Sequence, residues 1–182
     1  MEQKVVLDHD LMQRTLKRLA HEIVEKNPDT EKLAVVGIHR RGAVLARRIH
    51  EGLVQQAGHD VPIGDVDISF YRDDVSSREQ QPVVHSSHVE FDVEGATIVI
   101  VDDVLYTGRT VRAAIEALFD YGRPAKVQLA VLADRGHREL PVRPDFVGKN
   151  LPTSLSERVY VRVEEIDGID EVSIEEQGQV AA

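Results

Sequence analysis

An α/β fold with a central, mainly parallel sheet is what this sequence predicts, and three observations predict it. Short apolar runs suited to buried strands alternate with segments of helical periodicity, the pattern of βαβ units. Three polar loops, HRRG (39–42), DDVLYTGRT (102–110) and DRGHRE (134–139), each follow one of those apolar runs. Ligands in such sheets bind beyond the carboxyl ends of strands, so the three loops are expected to build one site. The chain has 182 residues, 42% of them hydrophobic and 30% charged, which suits one domain with a buried core.

Residues 8–26 read as an amphipathic helix, with Met12, Leu16, Leu19 and Ile23 at helical spacing. Asn27-Pro28 ends it, because proline disfavours helix at the residue before it. LAVVGI (33–38) is a short buried strand, and a helix follows from about Ala43 to Gln56, stopped at Gly58. VPIGDVDISFY (61–71) reads as a strand. Residues 72–88 are polar without a helical period, and a loop of that length is usually functional or mobile. The strand 97–101 then leads through a polar turn into a helix to about Tyr121, closed by Gly122 and Pro124. KVQLAVLA (126–133) is the next strand. Short extended pieces, DFVG, RVYVRVEEI and EVSIEE, fill the last fifty residues or so.

Composition narrows the classes. The chain has no cysteine, so disulfides and thiolate metal sites are excluded. No apolar run approaches a membrane span and no signal peptide opens the sequence, so a cytoplasmic protein is expected. The net charge of −10 argues at first against a nucleic-acid partner. However, Glu164, Glu165, Asp167, Asp170, Glu171, Glu175 and Glu176 fall in a C-terminal tail without Lys or Arg. The body outside it is near charge balance and has room for a basic face.

The chemistry is densest in DDVLYTGRT. Thr107 and Thr110 offer hydroxyls, Gly108 allows close backbone approach, and a helix N-terminus offers unpaired N–H groups. That combination suits a phosphate, and Arg109 adds positive potential. Asp102 and Asp103 would repel a phosphate, so they need sugar hydroxyls or a hard cation. The loop therefore reads as a site for a phosphorylated sugar. A plain strand end with a helix cap explains TGRT alone about as well. A receiver domain also pairs aspartates after a strand, but near its N-terminus. Neither a dinucleotide fingerprint nor a P-loop occurs.

IVIVDDVLYTGRT (98–110) closely resembles the phosphoribosyl-diphosphate (PRPP) motif of type I phosphoribosyltransferases. The nearer resemblance is to the PyrR family, bifunctional pyrimidine operon attenuators with uracil phosphoribosyltransferase activity. RLAHEI (18–23), VGIHRRG (36–42), ISFYRDD (68–74) and the segment 122–154 carry it, so it covers almost the whole chain. It implies a type I phosphoribosyltransferase fold in a single domain over 1–182. A flexible loop at about 72–88 and a small hood from the C-terminal segment, about 134–182, come with that fold.

The resemblance also implies roles. Asp102 and Asp103 would hold the ribose hydroxyls, directly or through Mg2+, and with Arg72 are the catalytic candidates. Val104 and Leu105 complete the PRPP or UMP loop with residues 106–110, which would hold the 5′-phosphate. Arg40 and Arg41 would meet the pyrophosphate. The family usually has Thr-Arg there, so Arg40 is a departure. Arg135, Phe146 and the backbone near Val159 would meet uracil. In hypoxanthine-guanine enzymes the position of Tyr106 is commonly an aspartate that works on the purine, so tyrosine fits a pyrimidine. The implied reaction is uracil plus PRPP giving UMP and pyrophosphate, through a transition state with oxocarbenium character.

Regulators of this family bind the leader mRNA of pyrimidine genes, with UMP favouring binding. Arg14, Lys17, Arg18 and His21 form one stripe on the first helix; His137, Arg138, Arg143 and Lys149 add basic residues later. Without the resemblance, such a stripe is usually a solvated face. An Arg18→Gln, Arg138→Gln double variant is expected to weaken RNA binding and spare the transferase. The competing readings are a plain phosphoribosyltransferase without an RNA role, and a nucleotide sensor with negligible turnover. A homo-oligomer is expected, and no membrane partner.

Overall fold

The computed structural model describes residues 3–73 and 86–176. Five parallel strands form the central sheet in the order β3-β2-β4-β5-β6. They are β2 (Leu33–Ile38), β3 (Ile63–Val66), β4 (Thr97–Leu105), β5 (Lys126–Asp134) and β6 (Phe146–Asn150). On one face pack α1 (His9–Lys26) and α2 (Arg41–Ala57), burying Met12, Leu16, Leu19, Ile23, Leu45 and Ile49. On the other lies α3 (Arg109–Phe119), burying Val111, Ala114 and Leu118. Strands covered on both faces must be apolar throughout, which is why LAVVGI has no alternation.

Local chemistry sets the boundaries. The Asp8 carboxylate accepts from the Leu11 N–H at 2.9 Å and starts α1. At its end the Asn27 amide donates to the Ile23 carbonyl and to Gln128 of β5, so a buried side chain, and not Pro28 alone, stops the helix. Gly42, in the first turn of α2, lies so near β4 that a Cβ would stand 2.6 Å from the Val101 carbonyl.

Four expectations change. The strand expected over 61–71 stops at Val66, because the Asp67 carboxylate accepts from the Ser69 N–H and hydroxyl and turns the chain. The strand expected to end at 101 runs to Leu105, since β4 keeps its ladder with β5 as far as Leu105 opposite Asp134. Both aspartates thus stand within the strand. RVYVRVEEI is not extended throughout: after β7 (Glu157–Arg162) the short helix α4 (Glu164–Asp167) forms, its first turn closed by the Asp167 carboxylate on the Val163 N–H. Finally, β1 (Gln3–Leu7) was not expected at all. It is mostly exposed and owes its form to pairing with distant β8 (Glu171–Glu176).

A second, antiparallel sheet, β1-β8-β7, stands apart from the first. The hood therefore draws on the N-terminus as well, while β6, inside the segment assigned to it, joins the central sheet. The acidic tail acquires a role here. Arg48 of α2 holds Glu165 and Asp170, each with two charge-assisted bonds, and Arg41 holds Asp167 with two more. Burial opposes ionisation of Asp170, but the Arg48 guanidinium outweighs it and holds its carboxyl below the usual range. Asp170→Ala leaves Arg48 without its buried partner and is expected to cost about 3 kcal/mol, roughly 6–12 °C in Tm by calorimetry. Because the folded pKa is depressed, this stabilisation is present above the unfolded carboxyl range and fades as pH falls through the folded value.

Candidate active site

At the carboxyl ends of the central strands the three polar loops do converge. One cavity of about 360 Å3 is lined by Arg72, Asp102, the loop from Val104 to Val111, and Glu139. An adjoining one of about 390 Å3 is lined by His39, Arg40, Arg41, Asp67, Ser69, Arg72, Asp102, Asp103 and Thr110. Arg72, Asp102, Val104 and Thr110 belong to both, so the acid pair stands where they meet.

The loop from Tyr106 to Thr110 is built as its sequence requires. Gly108 precedes α3 with φ 94°, and a Cβ there would crowd Leu140 and Val142. The Thr107 hydroxyl accepts from the Arg109 N–H, while the Thr107 carbonyl accepts from the Glu139 and Leu140 N–H groups. Arg109 itself is held by Glu139 and Asp73 at 2.7 and 2.8 Å, so much of its charge is compensated. The helix N-terminus remains as the anion-attracting element.

Asp102 is buried and Asp103 half-buried. The Asp102 carboxylate accepts from the Asp103 N–H and the Asp103 carboxylate from the Val104 N–H. Burial, with the Asp103 charge beside it, pushes the Asp102 carboxyl well above its ordinary range, against the pull of Arg72. Burial likewise raises Asp103, opposed by the Val104 N–H and the Arg41 charge. A folded pKa above the unfolded one gives stability that is complete below the unfolded value and lost as pH rises through the folded one. Asp102→Asn keeps the acceptor for the Asp103 N–H without the charge. That variant is expected to melt higher than the parent at pH 7, with the gap closing near pH 4; scanning calorimetry at both pH values checks it.

The oxygen-only pair suits a hard cation, whose charge would favour ionisation of two carboxyls that burial disfavours. Magnesium fits this donor set.

Not all the sequence candidates meet here. Arg41 lines the second cavity, but its guanidinium is engaged by Asp167 of α4 at 2.6 and 3.1 Å. Arg40 is exposed in the same loop, after a cis His39–Arg40 peptide. Arg135 is buried, donates to the Ser154 and Glu157 carbonyls, and stacks 4.1 Å over the Tyr106 ring. Its Nε has no hydrogen-bond partner among the described residues. Phe146 is corrected: it is the first residue of β6, opposite Ala130 midway along β5, and lies in the core beneath Lys26. Val159 sits half-buried in β7 against the core and lines neither cavity.

The basic residues divide. Arg14, Lys17 and His21 are exposed on α1, and an open groove between α1 and α2 has Lys17 and His21 on its wall. Arg18 spends its guanidinium on Glu22 and on the Val147 and Gly148 carbonyls of β6. Lys149 reaches the Val6 carbonyl, and Arg143 is exposed. Arg138 donates to the Val142 and Tyr106 carbonyls and to Asp134, so it braces the loop that carries Tyr106. His137 contacts the Thr153 carbonyl and presents an edge to Tyr106. An Arg138 substitution would therefore also disturb the loop that carries Tyr106. Sequence reasoning missed Asp134 and Glu139 as braces, although it identified DRGHRE as a site loop; only the spatial contact assigns their parts.

Comparisons with known proteins bear on the family and the fold. Residues 2–159 match the phosphoribosyl transferase domain family. The bifunctional protein PyrR of Listeria welshimeri is 53% identical over 94% of this chain and 96% of its own. The PyrR protein of a Roseiflexus species is 56% identical over 92% of each chain. The solved hypoxanthine phosphoribosyltransferase of Trypanosoma cruzi superposes with a TM-score of 0.69 at 18% identity, over 94% of this chain and 95% of the other. That last likeness speaks for the fold alone. Among the described residues, no helix is long and apolar enough to cross a membrane.

Proposed function

Because the chain belongs to the phosphoribosyl transferase domain family, and within it to the bifunctional PyrR proteins, we propose two linked activities. It forms UMP and pyrophosphate from uracil and PRPP, and it binds the leader mRNA of pyrimidine genes when UMP is bound, attenuating their transcription. The observation that carries the reading is one site where a helix-start phosphate loop, a buried acid pair and an arginine-bearing loop adjoin.

In this reading residues 106–110 hold the 5′-phosphate, and Asp102 and Asp103 hold the ribose hydroxyls. Magnesium, bound directly or through water at those carboxylates, would supply charge neutralisation for the departing pyrophosphate. Arg40 and Arg41 face the pyrophosphate, with Arg41 exchanging Asp167 for it, and Arg72 offsets charge where the cavities join. Uracil lies beside the Arg135–Tyr106 stack, where the unpartnered Arg135 Nε–H suits a base carbonyl. The C1′–O bond to pyrophosphate breaks as the uracil N1–C1′ bond forms, and the N1 proton is lost. Positioning and charge stabilisation account for the rate, so no general base is assigned.

Phe146 and Val159 have no part in this assignment, and the RNA face is reduced to Arg14, Lys17 and His21, with Arg18, Arg143 and Lys149 at its border. The protein is expected to act in the cytoplasm as a homo-oligomer. Steady-state assay with uracil and with hypoxanthine tests the substrate: turnover with uracil and little with hypoxanthine supports the proposal, and the reverse favours purine salvage.

A further inference from the structure

A second group of ligating side chains stands outside the acid pair. His39, at the end of β2, Asp65 of β3 and His88 each point one ligating atom at a common space, all within 4.8 Å of one another. The Asp65 Oδ1 lies 2.5 Å from His39 Nε2 and 3.2 Å from His88 Nδ1. We infer that these three residues bind a borderline divalent cation of the zinc type.

The donor set carries the inference. Two imidazoles and one carboxylate suit zinc, cobalt or nickel, whereas magnesium prefers the all-oxygen pair at Asp102 and Asp103. Ligands about 2.0–2.1 Å from a tetrahedral zinc lie roughly 3.3 Å from one another. The His88–Asp65 separation already has that value, and the His39–Asp65 one needs to open by less than about 1 Å, a side-chain rotation. In the metal-free state the same carboxylate oxygen can accept from both imidazoles, and on binding each ring would carry its proton on the other nitrogen.

The backbone holds the group in place. Asp65 and His88 exchange both backbone hydrogen bonds at 2.9 Å, and the His39 N–H donates to the Val66 carbonyl. Gly64 allows this approach, since a Cβ there would stand 2.6 Å from the His88 carbonyl. The second ring nitrogen of His88 meets the Ser86 hydroxyl at 3.2 Å, the outer contact that orients a metal-binding imidazole. A cavity of about 210 Å3 opens beside Asp65 and His88, where Glu90 and Arg47 face it with opposite charges. A bound ion would fasten His39, and with it the Arg40–Arg41 loop, to β3.

The test is a titration of the chelator-treated full chain with Co2+ and Zn2+ in millimolar Mg2+, which occupies the acid pair. One equivalent of Co2+ should give the visible absorption of a low-symmetry nitrogen-ligated site, Zn2+ should displace it, and Tm should rise. His88→Ala and Asp65→Asn should each weaken binding at least tenfold; circular dichroism checks that both fold. Absence of micromolar binding by the parent chain, or equal affinity in both variants, would overturn the site. Neither outcome bears on uracil turnover, which is measured separately.

Discussion

Asp103→Asn is expected to reduce UMP formation at least about 100-fold in kcat/KM, some 3 kcal/mol of transition-state stabilisation. The substitution is nearly isosteric, and the asparagine carbonyl can still accept from the Val104 N–H that now meets the carboxylate at 2.7 Å. What disappears is the charge. That charge stands half-buried beside Arg41, where in the proposed reading it would hold ribose hydroxyls and attract a cation that neutralises pyrophosphate. In a site with little solvent such interactions weigh far more than in water. A steady-state assay at saturating PRPP, with calorimetry to confirm folding, checks the effect. Near-normal turnover would remove the acid pair from the mechanism.

The second large effect concerns RNA. Arg14→Gln with Lys17→Gln is expected to weaken leader-RNA binding at least tenfold at moderate salt. It should also flatten the dependence of log affinity on log salt by roughly 1.5, two phosphate contacts at about 0.7–0.9 each. Both side chains are exposed on α1, and among the described residues neither forms an ion pair, so uracil turnover should not change. Arg138→Gln should behave oppositely. Its guanidinium ties the Tyr106 carbonyl to Asp134, so its loss is expected to loosen the loop from Tyr106 to Thr110 and to lower transferase activity. Filter binding across salt concentrations, beside the uracil assay, separates the two variants. Unchanged RNA affinity in the α1 variant would remove that stripe from the interface.

The legible parts of this molecule were those written in local pattern. The amphipathic period of 8–26, the buried runs 33–38 and 126–133, and the TGRT turn at a helix start all formed close to where they were expected. The illegible parts depend on contacts between residues far apart in the chain. β1 exists because β8 pairs with it, and the acidic tail is explained only once α2 brings Arg41 and Arg48 beneath it. The same limit governed the site. A list of basic residues could not separate Arg138, spent on a loop, from Lys17, which is not. An aromatic near the hood segment could equally be a base contact or, like Phe146, part of the core.

The central claim is that one nucleotide pocket governs both activities. Leader-RNA affinity, measured on a single preparation with and without UMP, tests it most directly. The account predicts that UMP tightens RNA binding and that RNA tightens UMP binding by the same factor, as linkage requires. RNA affinity that is independent of UMP, in a preparation that turns over uracil, would contradict it.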